Sequence, residues 1–311
     1  MNFLLILIGF ALLILGGNWL LKSAVSISIR LQIPKIIIGM TVVSFATSAP
    51  ELIVSINASL NGFSDLALSN VIGSNIANLA LVLGITLLIA KIDVQKSFYT
   101  TDWPVMIIAS FLFYIFLYND HIISTLEGII LFLFLVIFLI YILNYQKQVE
   151  IDDISEEIKP LSSYKTILFL LMGSLGLWGG SELLIEGAIN LATNFGVSER
   201  IIAITVVSLG TSIPELVASI TAVLKKEKAI SLGNLIGSNI FNILAVIGIT
   251  SIIQPIKTND PAIYTNDIYW MLGVSLLMFL LVFMPNKMKL ELKGGIILLL
   301  VYVTFLYHTI S

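Results

Sequence analysis

Between residues 41 and 86 the chain reads TVVSFATSAPELIVSINASL, a short polar break, then LALSNVIGSNIANLALVLGIT. Between 205 and 250 it reads TVVSLGTSIPELVASITAVL, a break of Lys and Glu, then ISLGNLIGSNIFNILAVIGIT. Glu51 and Glu215 stand 164 positions apart, as do Thr41 and Thr205, and Asn78 and Asn242, with no gap. Roughly half of the aligned residues are identical, more than a shared apolar composition produces, so the chain holds an internal duplication.

Each copy sets a Pro and a Glu inside a long apolar run. A carboxylate at the centre of a bilayer costs about 2.5 kcal/mol or much more, which marks it as functional by default. Pro removes a backbone donor and frees a carbonyl one turn back. Broken backbone of this kind is tolerated in a membrane where it lines a cavity. Two related broken helices bearing acids near mid-depth are the strongest sequence pointer to an ion or substrate site.

Composition fixes the class. Of 311 residues, 58% are hydrophobic and 11% charged, which predicts an all-α membrane protein with many spans. There are no cysteines, so disulfides and thiolate metal sites are excluded. The two histidines, His121 and His308, fall near expected span ends and read as interfacial residues. The N-terminal run MNFLLILIGFALLILGGNWLL lacks a basic leader and a small-residue cleavage site, so it is expected to be the first span.

Ten transmembrane helices are expected, at 2–29, 36–60, 66–90, 103–118, 122–144, 164–194, 200–224, 229–253, 267–284 and 294–309. The repeats fall on spans two–three and seven–eight. The chain then divides into a first five-helix half (1–145), a cytoplasmic acidic linker (146–163) containing EIDDISEE, and a second five-helix half (164–311). The linker reads as a solvated connection between the halves. In each half the first helix is expected to end in a GG motif, GGNWLL at Gly16 and GGSELL at Gly179. An odd number of spans per half inverts the second half, the inverted-repeat architecture of many secondary transporters. With both termini outside, only Arg200 and Lys257 of the 16 basic residues fall on the outer side, as the positive-inside rule requires.

On a helix, Ser44, Thr47, Ser48 and Glu51 share one face, and Ser208, Thr211, Ser212 and Glu215 share the matching one. Ser74 with Asn78, and Ser238 with Asn242, add neutral oxygens at i,i+4 on a second helix, where Gly73 and Gly237 permit close approach. All are hard oxygen donors, suited to Na⁺ and Ca²⁺. Two glutamates balance one Ca²⁺ or two Na⁺, so one cage can hold either cation. The competing reading is that Ser, Thr and Asn serve only as interhelical glue; the duplicated Pro-Glu pairs do not fit it. Glu182 and Glu186 are expected at an outer vestibule or interface, because the first half has Trp19 and Ser23 in their places.

On these motifs, TSAPE with TSIPE and GSNIAN with GSNIFN, the chain resembles prokaryotic members of the sodium/calcium exchanger family of the cation/Ca²⁺ antiporter superfamily, over essentially its whole length. The resemblance implies one Ca²⁺ or three Na⁺ in a diamond of four sites. Glu51 and Glu215 would bridge the central Ca²⁺ site, with Thr47 and Thr211 as carbonyl ligands. Ser48, Ser74 and the carbonyl of Ser44 would form one flanking Na⁺ site, and Ser212, Ser238 and the carbonyl of Ser208 the other. Asn78 and Asn242 would line the middle, and the first and sixth spans would slide against the core. K⁺-dependent relatives carry Asp where this chain has Asn242, so K⁺ co-transport is not expected.

The expected activity is electrogenic Na⁺/Ca²⁺ antiport in the cell membrane. No cofactor, nucleic acid or obligate protein partner is expected, and the partners are the two ions and the lipid bilayer. The first alternative is a Ca²⁺/H⁺ antiporter using the same glutamates. An intramembrane hydrolase, which needs Asp-based motifs or metal-binding His, and a passive channel are more distant alternatives.

Overall fold

The protein is described from a computed structural model covering residues 2–145, 160–194, 210–284 and 287–310. Helix α1 spans Asn2–Leu31. Helices α2 (Lys35–Thr47) and α3 (Ala49–Leu60) meet at a 43° bend. They are followed by α4 (Ser64–Ile89), α5 (Phe98–Asp120) and α6 (Thr125–Tyr145). The second half contains α7 (Ser163–Asn194), α8 (Ile213–Leu224), α9 (Lys228–Ile253), α10 (Ile263–Phe283) and α11 (Leu292–Ile310). Eight of these are long and apolar enough to cross a membrane, and the bent α2–α3 pair makes a ninth crossing if taken as one span. The chain is a multi-pass helical membrane protein.

Burial sorts the helices into layers. In the most apolar windows of α4 and α9, 72% and 83% of the residues are buried, against 33% for α1 and 28% each for α6, α7 and α11. The two repeat helices therefore form the centre, and the less buried helices lie at the periphery. That division follows from sequence: α4 and α9 carry the polar GSN text, which lipid cannot satisfy.

Close packing at the centre depends on glycine. A Cβ on Gly39 of α2 would meet the carbonyl oxygen of Ile230 at 2.5 Å and the nitrogen of Asn234 at 3.0 Å. Gly233 and Gly237 of α9 face the backbone of Ile36 and Met40 in the same way. Helices α2 and α9 thus touch backbone to backbone. No described atom lies near the Cβ that Gly73 would carry, and the segment matching its partner by the repeat lies outside the described residues.

Two short antiparallel ladders tie the halves together at their ends. Strand β1 (Ile92–Asp93) pairs with β4 (Lys289–Leu290), and β2 (Ile122–Ile123) pairs with β3 (Ile256–Lys257). The turns after α3 and α8 also match: Phe63 donates to Ala58 and Glu227 to Ala222, each at 2.8 Å, with Gly62 and Lys226 at positive φ. This is the Schellman closure.

Several sequence expectations need correcting. Neither GG motif ends its helix: α1 runs on to Leu31 and α7 to Asn194, because both motifs serve helix packing in mid-span. A Cβ on Gly16 would strike the nitrogen of Leu177 at 2.7 Å, and one on Gly180 the carbonyl of Gly9 at 2.9 Å. The fifth span starts at Thr125, since residues 122–123 pair as a strand. The fourth and ninth start earlier than expected, at Phe98 and Ile263, where wide π-helical turns carry polar residues into the span. The acidic segment 150–157, Arg200 and Ser208 lie outside the described residues.

Candidate functional site

The site forms where the helices of the two repeats break. Ser48 (φ −87°, ψ 2°) interrupts the second span, and α3 starts again at Ala49 with Pro50 in its first turn. Ser212 (φ −86°, ψ 0°) does the same before Pro214. Pro is accepted there because the first-turn N–H groups have no helical partner to lose. Glu51 and Glu215 consequently sit in the first turns of α3 and α8, where the helix dipole favours negative charge. Both are wholly buried and lie within electrostatic reach of one another.

Around them the structure gathers most of the residues singled out from sequence. Ser44, Thr47, Ser48, Ser74, Asn78, Ser212, Ser238 and Asn242 are all buried, and Thr211 is half-buried. Ser48 and Ser238 both donate to Oε1 of Glu215, at 3.3 and 3.4 Å. Thr47 Oγ1 lies 3.4 Å from Ser238 Oγ, and Ser74 Oγ 3.3 Å from Thr211 Oγ1. Contacts therefore cross between halves: Ser48 meets Glu215, Thr47 meets Ser238, and Ser74 meets Thr211. The Ser44 hydroxyl is turned away, donating to the carbonyls of Gly39 (2.7 Å) and Asn234 (3.0 Å). Glu182 and Glu186 are exposed on α7, apart from this cluster.

A set of oxygens remains unpartnered. Both carboxylate oxygens of Glu51, Oε2 of Glu215, Oδ1 of Asn78 and of Asn242, and Oγ of Ser212 are buried with no hydrogen-bond partner among the described residues. Buried polar atoms are almost always satisfied, so six such oxygens on two repeats identify a place built for something else. The asparagines explain how they are aimed. Asn78 Nδ2 donates to Asn239 Oδ1 at 3.4 Å, and Asn242 Nδ2 to Asn75 Oδ1 at 3.1 Å. Tying the amide nitrogens to the opposite half leaves only the carbonyl oxygens free. Both residues lie in π-helical turns, Ala77–Val82 and Asn242–Ile247; such turns recur at functional sites because they re-aim side chains.

Four positioning residues escaped the sequence reading: Asn70, Asn75, Asn234 and Asn239. Asn70 Nδ2 donates to Ser55 Oγ (3.0 Å), and its Oδ1 accepts from Thr211 of the other half (3.3 Å). Asn234 repeats this with Ser219 and Thr47, both at 3.2 Å. Asn75 and Asn239 each rest an amide on a methionine sulfur, Met271 and Met106. The signal was present, since all four recur at the same 164-residue offset.

Two carboxylates and an array of neutral hard oxygens, buried between apolar helices, can accept a desolvated Na⁺ or Ca²⁺. The sodium/calcium exchanger protein family profile matches residues 1–144 and 165–311. CaxA of Alkalimonas amylolytica is 36% identical over 313 residues, covering 98% of each chain. The sodium/calcium exchanger MaX1 of Methanosarcina acetivorans is 27% identical, covering 98% of this chain and 97% of its own. A solved structure of the sodium-calcium exchanger NCX_Mj superposes with a TM-score of 0.83 at 27% identity, over 98% of both chains. Neither the broken helices nor the oxygen cluster calls for enzymatic chemistry, and the chain belongs to the sodium/calcium exchanger protein family, a family of membrane antiporters.

Proposed function

We propose that the chain exchanges Na⁺ for Ca²⁺ across the cell membrane by alternating access, with three Na⁺ entering for each Ca²⁺ exported. The observation that carries this reading is the set of unpartnered oxygens centred on Glu51 and Glu215. Two like charges buried together in a membrane need a cation or protons to offset them. One Ca²⁺ neutralises the pair. Three Na⁺ leave it positive by one, so each cycle moves one net charge, worth about 2.3 kcal/mol per 100 mV.

In this reading Glu51 and Glu215, with the carbonyls of Thr47 and Thr211, hold Ca²⁺ at the centre. Ser44, Ser48 and Ser74, and Ser208, Ser212 and Ser238, serve flanking Na⁺, with Asn78 and Asn242 in the middle. The cross-half contacts of Ser48 with Glu215 and of Thr47 with Ser238 favour sites shared by both halves over sites confined to one.

The architecture is two inverted five-span halves, 1–145 and 164–311, joined by a cytoplasmic linker at 146–163. Helix α8 supplies the described part of the seventh crossing, which brings the number to ten. The strand ladders support the inversion. With the termini outside, β1 and β4 fall at the inner end and β2 and β3 at the outer end, so each observed pair joins strands on one side. Exchanging the halves maps each ladder onto the other.

The test is ⁴⁵Ca²⁺ uptake into proteoliposomes loaded with Na⁺, with pH clamped and K⁺ absent. Uptake that requires the outward Na⁺ gradient is expected. Uptake only under an imposed pH gradient would replace this reading with Ca²⁺/H⁺ antiport on the same glutamates.

A further inference from the structure

Between α1, α7 and the turn joining α8 to α9 lies a groove of about 680 Å³, at the end of the helices opposite the N-terminus and away from the oxygen cluster. Its walls are mainly apolar and include Val25, Leu168 and Phe169. Lys22, Lys165 and Lys225 also line it. All three lysines are exposed, and none has an ion-pair partner among the described residues.

Among the described residues, the nearby Glu227 and Arg30 are already committed. Glu227 lines the same groove, but its carboxylate is held by Lys35 at 2.8 Å. Arg30 donates its guanidinium to the carbonyl of Leu161 and the hydroxyl of Ser163, fixing the start of α7. Three ammonium groups around an apolar trough are left over. Long lysine stems lie along apolar surface and deliver their charge to its edge.

We propose that this groove binds an anionic phospholipid, its phosphate among Lys22, Lys165 and Lys225 and its acyl chain along the apolar wall. The charge selects an anion, and the wall selects one that carries hydrocarbon. The peripheral position of α1 and α7 places the trough open to the bilayer. Basic residues at the inner interface attract anionic lipid, and here they come from three separate elements, so one headgroup bridges the α1–α7 pair to the α8–α9 turn. Where α1 and α7 move against the core, such a bridge sets the ease of that movement. This consequence rests on the exchanger reading, whereas the binding itself does not.

The experiment is native mass spectrometry of the purified chain with phosphatidylglycerol or with phosphatidylcholine of the same acyl chains. The variants are K22Q/K165Q/K225Q and, as a control on inner-end lysines outside the groove, K91Q/K287Q/K293Q. Each groove lysine removed should weaken phosphatidylglycerol about fivefold, so the triple variant should retain it about a hundredfold less well. The control should match the wild type within about twofold. Glycerol 3-phosphate should not displace the lipid. Equal retention of phosphatidylcholine, equal loss in the control variant, or displacement by glycerol 3-phosphate would each overturn the proposal. A Ca²⁺ flux assay in the same two lipids reads the consequence for transport separately.

Discussion

Gly39→Ala places one methyl group at a backbone-to-backbone contact between the two halves. The added Cβ would stand 2.5 Å from the carbonyl oxygen of Ile230, 3.0 Å from the nitrogen of Asn234 and 3.1 Å from Cα of Gly233. All three are backbone atoms of α9, so no side chain can swing aside. Restoring an ordinary 3.4 Å contact moves the helices apart by about 0.9 Å. Overpacking of this kind costs about 1–3 kcal/mol. The same shift stretches the Ser44 hydroxyl's bond to the Asn234 carbonyl, now 3.0 Å, and the Thr47 bond to Asn234 Oδ1, now 3.2 Å, beyond hydrogen-bonding range. Those bonds set Thr47 and Ser48 against Glu215, so transport should fall with stability. Thermal unfolding in detergent and ⁴⁵Ca²⁺ flux per folded molecule read the two effects. Unchanged unfolding together with wild-type flux would refute the claim that backbone contact at Gly39 aligns the cluster.

Other expectations follow from single contacts. Glu51→Gln and Glu215→Gln should each abolish Ca²⁺ flux while leaving a folded, monodisperse protein; wild-type flux in either would remove that residue from the site. Lys226 adopts φ +66° at the turn where the first half uses Gly62. Lys226→Gly should therefore stabilise by about 1 kcal/mol, read as a higher melting temperature, and an unchanged or lower one would count against strain at that turn. A double-mutant cycle on Lys35 and Glu227, paired at 2.8 Å and mostly buried, should give a coupling of about 1 kcal/mol; no coupling would mean the pair is incidental. Acidification should lower Ca²⁺ flux, since a protonated Glu51 or Glu215 no longer carries the charge that balances Ca²⁺, and flux indifferent to pH down to about 4 would contradict carboxylate coordination.

Much of the site was legible because the duplication repeats it. Pro50 and Pro214 announced broken helices, and the paired Glu, Ser and Asn are all buried except Ser208, which lies outside the described residues. What sequence could not supply was the crossing of contacts between halves. Spacing along one helix groups Ser48 with Glu51, but the fold sets Ser48 against Glu215. Helical periodicity also assumes 3.6 residues per turn, so the π-helical turns that aim Asn78 and Asn242 were invisible to it. Glycine commonly terminates helices in water. In a membrane the same residue brings helix backbones together, as Gly16 and Gly180 do. Asn70, Asn75, Asn234 and Asn239 act through partners in the opposite half, which spacing along one helix does not show, yet each fixes a site residue or its neighbour.

The most direct test of the central claim, that Glu51 and Glu215 jointly hold a Ca²⁺ that Na⁺ displaces, is equilibrium binding. ⁴⁵Ca²⁺ would be bound to purified wild type and to Glu51→Gln/Glu215→Gln in a scintillation-proximity format, with Na⁺ titrated against a non-interacting organic cation. The account predicts saturable Ca²⁺ binding to the wild type, displaced by Na⁺ with a Hill coefficient above 1, and none to the double variant. Ca²⁺ bound equally by both proteins, or bound by the wild type and indifferent to Na⁺, would contradict it.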